Sequence, residues 1–255
     1  MSTSIRSSRW YRSEYAANLG ALSVRQQARL RASRVALAGS GGVGSLTASA
    51  LAMVGVRRFV LIDPQCLEID NLNRSCAGVD YVGVSKALAC RSVMQQRFPE
   101  AEIAAFVSPV ETVNPEVFND CDVIISAPNA IKARRAAARI ALRKRIPIIS
   151  AGLADCRKSW SGAVTVWHPG YGKKAACPAC FLNGVRTVPR GESLLTTVVL
   201  LIASLTAQIA VQILTGARAQ ALRSHNFFRI DAGNYVLEKF AVRRLKDCEV
   251  CGVRN

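Results

Sequence analysis

The residues most able to do chemistry in this chain begin with Gly39-Ser40-Gly41-Gly42-Val43-Gly44, a G-x-G-x-x-G loop. Gly39 permits a tight strand-to-helix turn. Gly41, with Gly42 beside it, lets the backbone come close to a phosphate, and Gly44 lets the following helix pack against the strand. The first N–H groups of that helix have no intrahelical partner and favour an anion. Asp63 ends the next apolar run, where a carboxylate can hydrogen-bond a ribose hydroxyl. The competing reading is a glycine turn kept for packing, with Asp63 capping a strand end. NAD is the default ligand for such a loop, but Asp70-Asn71-Leu72-Asn73-Arg74 and then Lys86 follow it. Two cations there can neutralise a triphosphate and the charge developing on an attacked α-phosphate, which a dehydrogenase does not need.

The second set is Cys177-Pro-Ala-Cys180 and Cys248-Glu-Val-Cys251. Two C-x2-C knuckles supply four thiolates, the donor set of a tetrahedral structural zinc. The long separation of the pairs means that such a site would staple the chain's end back onto the domain. Redox pairs are the lesser reading. Cys66, Cys76, Cys90, Cys121 and Cys156 stand singly and read as small core residues. Residues 1–20 lack the apolar segment of a secretory signal, so a reducing, cytoplasmic compartment is expected, where paired cysteines mean metal or redox chemistry. With two histidines, a His-rich metal site is excluded, and a Ser-His-Asp triad would have to use His168 or His225.

These groups need positioning elements, and the apolar pattern predicts them. Residues 1–33 read as a helical arm ending in the basic amphipathic stretch Val24–Arg31. Arg34–Ala38 is a short apolar strand that runs straight into the glycine loop. Ser45–Val54 is a helix stopped by Gly55, and Arg58–Asp63 a second strand, which makes a β-α-β unit. After a loop over Pro64–Val84, helices are expected at Ser85–Phe98 and Ala130–Arg143. Strands are expected at Glu102–Pro109, Cys121–Ser126 and Ile146–Ser150. Such alternation implies a doubly wound, Rossmann-like, mostly parallel sheet. From residue 162 the pattern changes to strands at Ala163–Trp167, Phe227–Asp231 and Val236–Arg243. The expected organisation is therefore an arm at 1–33, a nucleotide-binding region at 34–161 and a zinc-stapled C-terminal β extension at 162–255, all in one compact domain.

Composition bounds the rest. At 255 residues, half of them apolar, the chain is neither disordered nor a disulfide-dependent miniprotein. Its formal charge of +17 is spread along the sequence. The densest cluster, Lys132 to Arg145, reads as one solvated helix face and a turn. No nucleic-acid module with aromatics on a basic face is present, so nucleic acid is not an expected partner. Ser193–Ala217 carries no charge, and Leu194–Leu214 is long enough to span a bilayer. Gln208, Gln212, Ser204 and Thr206 within it favour a buried core or interface helix over a membrane span.

The run Arg34–Lys86, the paired cysteines and the ending Phe227–Gly252 together resemble the ThiF/MoeB/HesA adenylyltransferases, the bacterial relatives of the ubiquitin-activating enzymes. The resemblance implies ATP and Mg2+ as cofactors and adenylation of the C-terminal carboxylate of a small ubiquitin-like carrier protein or peptide. It implies that Gly39, Gly41 and Gly44 cradle phosphates and that Asp63 holds the ribose. Asn71, Arg74 and Lys86 would bind the triphosphate and stabilise the transition state, and the four paired cysteines would hold structural Zn2+. It also implies a homodimer in which an N-terminal arginine, Arg12 with Arg9 as its rival, enters the partner subunit's site. Two departures stand out. The family's Asp-Asn pair, whose aspartate serves magnesium, is here Ala127-Pro128-Asn129, and proline offers no metal ligand. Of the acids nearby, Asp122 lies nearer the start of that strand, and Asp155 follows the next one. Second, Phe181–Glu192 is short and holds no cysteine, which argues against a thioester step there. Pro128 keeps open a second reading: a non-catalytic subunit of a heterodimer that binds a partner or peptide without turnover.

Overall fold

The computed structural model describes residues 13–171, 175–182 and 193–252. Arg12 and Arg9 lie outside the described residues. Helix α1 (Val24–Ala32) opens with a capping box, in which Ser23 Oγ accepts the Gln26 N–H and Gln26 Oε1 accepts the Ser23 N–H. It leads into β1 (Arg34–Ala38), which occupies the predicted span. Helix α2 (Gly42–Val54) begins inside the glycine loop, three residues earlier than the apolar pattern alone predicts, and stops at Gly55, whose φ of 118° suits only glycine.

The remaining elements of the first half are β2 (Arg58–Ile62), α3 (Lys86–Arg97), β3 (Glu102–Phe106), β4 (Val123–Ser126), α4 (Ile131–Lys144) and β5 (Ile148–Leu153). Short 3-10 turns at Ile69–Arg74 and Val79–Tyr81 occupy the loop after β2. Strand β6 (Ser161–Trp167), helices α5 (Thr196–Thr215) and α6 (Gln220–Ser224), and strands β7 (Phe227–Asp231) and β8 (Val236–Phe240) complete the fold.

All eight strands form one sheet in the order β3-β2-β1-β4-β5-β6-β7-β8. The pairings from β3 through β5 are parallel, and those from β5 through β8 are antiparallel. The mostly parallel Rossmann-like sheet is thus extended along one edge, and β6 joins it directly, so the C-terminal segment shares the sheet of the first half.

The first half is buried on both faces, as parallel sheets require. Val35 and Leu37 of β1 pack in a core built with α2, α3 and α5. Their neighbours Ala36 and Ala38 pack in a second core with Ala133, Ala137 and Ala141 of α4 and with Phe118. The uncharged helix α5 is long and apolar enough to cross a membrane, yet half of it is buried inside the fold. It lies so close to β6 that a Cβ on Gly162 would come within 2.6 Å of the Ile202 side chain.

The basic cluster on α4 is not one solvated face. Arg134 turns inward, donating to Ser150 Oγ at 3.1 Å and to the Ala151 carbonyl at 2.8 Å. Arg135 and Arg139 both pair with Glu249 near the chain's end. Polar groups of β5 draw Arg134 inward, and the acid of the C-terminal turn holds Arg135 half-buried while Arg139 stays exposed.

Candidate functional site

A cavity of about 810 Å³ opens at the carboxyl ends of β1, β2, β4 and β5. Its position follows from topology: β2 and β4 flank β1 on opposite sides, so the chain leaves the sheet in opposite directions and a crevice forms between the loops. Gly39, Gly41, Gly42, Asp63, Asn71, Arg74 and Lys86 all line it. Gly44 does not; it lies under the loop, where a Cβ would stand 1.9 Å from the Gly39 carbonyl oxygen. Its absence of a side chain sets the loop's close packing on α2.

The loop fits a phosphate. Gly39 has φ of 96°, and a Cβ on it would collide with the Pro128 backbone nitrogen at 2.7 Å. A Cβ on Gly41 would meet nothing within 4 Å, so the space beside its backbone belongs to the cavity. Ser40 Oγ, also on the cavity wall, is buried with no hydrogen-bond partner among the described residues. An orphan hydroxyl beside a helix N-terminus is suited to an anion oxygen.

Asp63 is 5% exposed. Its Oδ2 accepts the Ser40 N–H at 2.7 Å and its Oδ1 accepts the Gln65 N–H at 2.9 Å. Burial pushes its carboxyl above the usual range, opposed by those two N–H donors and by the charge of Lys86. Each carboxylate oxygen retains a lone pair for a ribose hydroxyl.

The cations are held ready by short local bonds. Arg74 donates from Nη1 to the Asp70 carbonyl and to Asn73 Oδ1, and its stem packs on Gly42. Lys86, the first residue of α3, donates to Gln65 Oε1 at 2.9 Å. Asn71 donates to Asp70 Oδ1 at 2.7 Å and accepts the Glu68 N–H.

Among the described residues, the phosphate end holds no carboxylate that would serve a metal. Pro128 lies against Gly39, as its distance to that position requires. Asp122 accepts the Arg34 N–H at the opposite end of the sheet. Asp155 is bound to its near neighbour Arg157, which holds its pKa at about 2, and it is not on the cavity wall. Only Asp63 and Glu111 bring carboxylates to the cavity among the described residues. The donor set therefore does not fit a dedicated magnesium site.

The cavity also reaches residues that spacing does not reveal: Arg134, Phe181, Leu182, Phe227, Arg229 and Glu111. Phe181 and Phe227 stack with centroids 5.2 Å apart. The alternation of β7 could have marked Phe227; nothing in the local sequence marks Arg134 or Glu111.

The four paired cysteines come together. Their Sγ atoms all lie within 4.8 Å of one another. Individual separations are 4.0 Å for Cys177–Cys180, 3.8 Å for Cys177–Cys248 and 3.4 Å for Cys180–Cys251. Four thiolates about 2.3 Å from one zinc ion would stand about 3.8 Å apart, whereas a disulfide needs about 2 Å. The cluster fits a zinc ion.

Sheet order, glycine loop and crevice together define a Rossmann-like α/β protein with a crevice suited to a nucleotide. The model of the ThiF family matches residues 14–252, and the chain belongs to that family. It is 28% identical over 229 residues to HesA of Trichormus variabilis, covering 89% of this chain and 82% of HesA. It is 29% identical over 170 residues to ubiquitin-like modifier-activating enzyme 5 of Drosophila simulans. That match covers 62% of this chain but spans only 41% of the fly enzyme. The structure of E. coli MccB with succinimide matches 94% of this chain and 74% of MccB, with a TM-score of 0.76 at 20% identity. At that identity the likeness concerns the fold alone.

Proposed function

We propose that this protein adenylates a carboxylate at the C-terminus of a small ubiquitin-like carrier protein or a peptide. A carboxylate oxygen attacks the α-phosphorus of ATP, the bond to the bridging oxygen breaks, and pyrophosphate leaves. The acyl-adenylate then passes its acyl group to an amine or sulfur nucleophile, which gives up its proton as the acyl–oxygen bond to the phosphate breaks and AMP leaves. The observation that carries this reading is the convergence of Ser40, Asp63, Arg74 and Lys86 on one cavity that continues to Phe181, Phe227 and Arg229. The first four suit a nucleoside triphosphate. The aromatic pair suits an extended tail, and Arg229, which pairs with Asp231 and Glu238, keeps that end of the cavity polar.

In this reading the loop N–H groups and Ser40 Oγ hold phosphate oxygens, and Asp63 holds the ribose. Arg74 and Lys86 stabilise the charge that grows at the α-phosphate. Magnesium would arrive on ATP's own phosphates, with no step resting on a carboxylate of this chain. Zinc on Cys177, Cys180, Cys248 and Cys251 would be structural. Relatives support the reading: one is named as a ubiquitin-like modifier-activating enzyme, and MccB has been solved with ATP and with MccA. A homodimer is expected, with Arg12 reaching the partner subunit's site.

Pro128 favours a second reading, in which the protein is a non-catalytic subunit that binds a partner protein or peptide without turnover. Calorimetry with ATP, with and without magnesium, followed by ATP–pyrophosphate exchange in the presence of candidate carboxylate peptides, separates the two. Exchange supports adenylation. ATP binding with no exchange, or no ATP binding by folded protein, supports the non-catalytic subunit, and the absence of ATP binding removes adenylation.

A further inference from the structure

Of the two carboxylates on the cavity wall, Asp63 is satisfied by backbone donors, whereas Glu111 is not. Glu111 Oε2 is buried and has no hydrogen-bond partner among the described residues. A buried carboxylate oxygen without a donor is costly, so a donor from a bound molecule is the natural complement. Glu111 is also firmly placed. Thr112 and Val113 donate their N–H groups to the Pro109 carbonyl at 3.1 and 3.3 Å, and the flanking Val110 and Val113 are buried in the core on the α4 side.

The sheet order says which part of a nucleotide reaches this turn. Glu111 follows β3, which lies beyond β2, and β2 lies beyond β1. Neighbouring strands are about 4.8 Å apart, so the end of β3 is about 10 Å from the glycine loop and about 14 Å from the strand that leads to Pro128. A nucleotide with its phosphates on the glycine loop and its ribose at Asp63 runs outward along this line. Its base then arrives at the turn after β3.

We propose that Glu111 reads the base: its buried Oε2 accepts a hydrogen bond from the exocyclic amino group of adenine. In the same pose guanine or hypoxanthine would present O6, an acceptor, against a carboxylate. The inference rests on the nucleotide-binding reading above and extends it to a residue that selects adenine.

The test compares calorimetric binding of ATP, of purine riboside triphosphate, which lacks only the amino group, and of inosine triphosphate. The native protein is expected to prefer ATP over purine riboside triphosphate by about tenfold or more, the scale of one charge-assisted hydrogen bond. In Glu111→Ala that preference should vanish. The loss of affinity should be equal for ATP and for adenosine, because the base alone is affected. Glu111→Gln preserves shape and adds a donor, so it should narrow the gap between ATP and inosine triphosphate about tenfold even if the alanine variant folds poorly. An unchanged ATP preference in both variants overturns the proposal while leaving nucleotide binding intact. Failure of the native protein to bind ATP overturns the underlying reading as well.

Discussion

The interior of the sheet and its C-terminal edge are held by different forces. In β1, Val35, Ala36, Leu37 and Ala38 are fully buried, and both faces of the strand meet helices. In β8, Val236, Leu237 and Phe240 are exposed by 43, 61 and 43%. That strand is secured by its pairing with β7 and by the turns that follow it. These turns carry Cys248 and Cys251 back to Cys177 and Cys180, and Glu249 to Arg135 and Arg139 on α4. The glycine-loop region, which we propose as the nucleotide end, therefore depends on close packing, and the C-terminal end on strand pairing and on the contacts gathered around the four-cysteine cluster. Each should fail in its own way.

The largest effect is expected at the nucleotide end. Gly44→Ala forces a Cβ against the Gly39 carbonyl, a backbone atom that cannot turn aside. Unfolding free energy should fall by about 3 kcal/mol or more, and ATP binding should be lost, as read by urea denaturation and calorimetry. At the other end, the purified protein is expected to carry one zinc ion per chain by elemental analysis. Cys248→Ser should remove it and lower stability by about 3 kcal/mol, since a structural zinc carries folding energy directly. Hydrogen exchange sharpens the contrast. In Cys248→Ser the amides of Phe227–Phe240 should lose protection while those of β1 and β4 keep it. Equal losses at both ends would break the distinction.

The same contrast governs what the sequence made legible. Strands β1 and β7 fall where the apolar runs place them, because burial on both faces, or pairing at a fixed register, leaves a continuous signal. Helix α2 begins earlier than expected because its first turn contains Gly42 and Gly44, residues whose propensity argues against helix. The cysteine spacing announced the cluster, since ligand chemistry tolerates few other residue types. Arg134 and Glu111 were not legible. An arginine on a basic helix and a single acid in a turn read as solvated, and only the crossing of α4 over the end of β5, and the turn after β3, bring them to the cavity. Arg57 was missed for a similar reason. It is 3% exposed, and it ties Glu14, Tyr15 and Glu100 together across the edge of the sheet.

Two smaller effects divide the nucleotide end within itself. Arg74→Ala should weaken ATP binding by about 2 kcal/mol, roughly thirtyfold, and leave adenosine binding nearly unchanged, because the guanidinium meets phosphates and not the nucleoside. Equal losses for both ligands would assign Arg74 a structural role, through its contacts with Gly42 and Asp70.

The smallest expected effect concerns Asp63. Burial raises its pKa above the value of the unfolded chain. Between those two values the folded state binds more protons, so the stability that Asp63 contributes is fully present below the unfolded pKa and is lost as pH rises through the folded pKa. Nucleotide binding runs the other way, because the ribose hydroxyls donate best to the ionised carboxylate. Apo-protein stability and adenosine affinity should therefore move in opposite directions across the same acidic window. Asp63→Asn keeps one acceptor oxygen but does not titrate, so both curves should flatten there and adenosine affinity at neutral pH should drop. If the native curves keep their slopes in the variant, the titrating group lies elsewhere, and the hold on ribose must be shared by backbone groups of the loop.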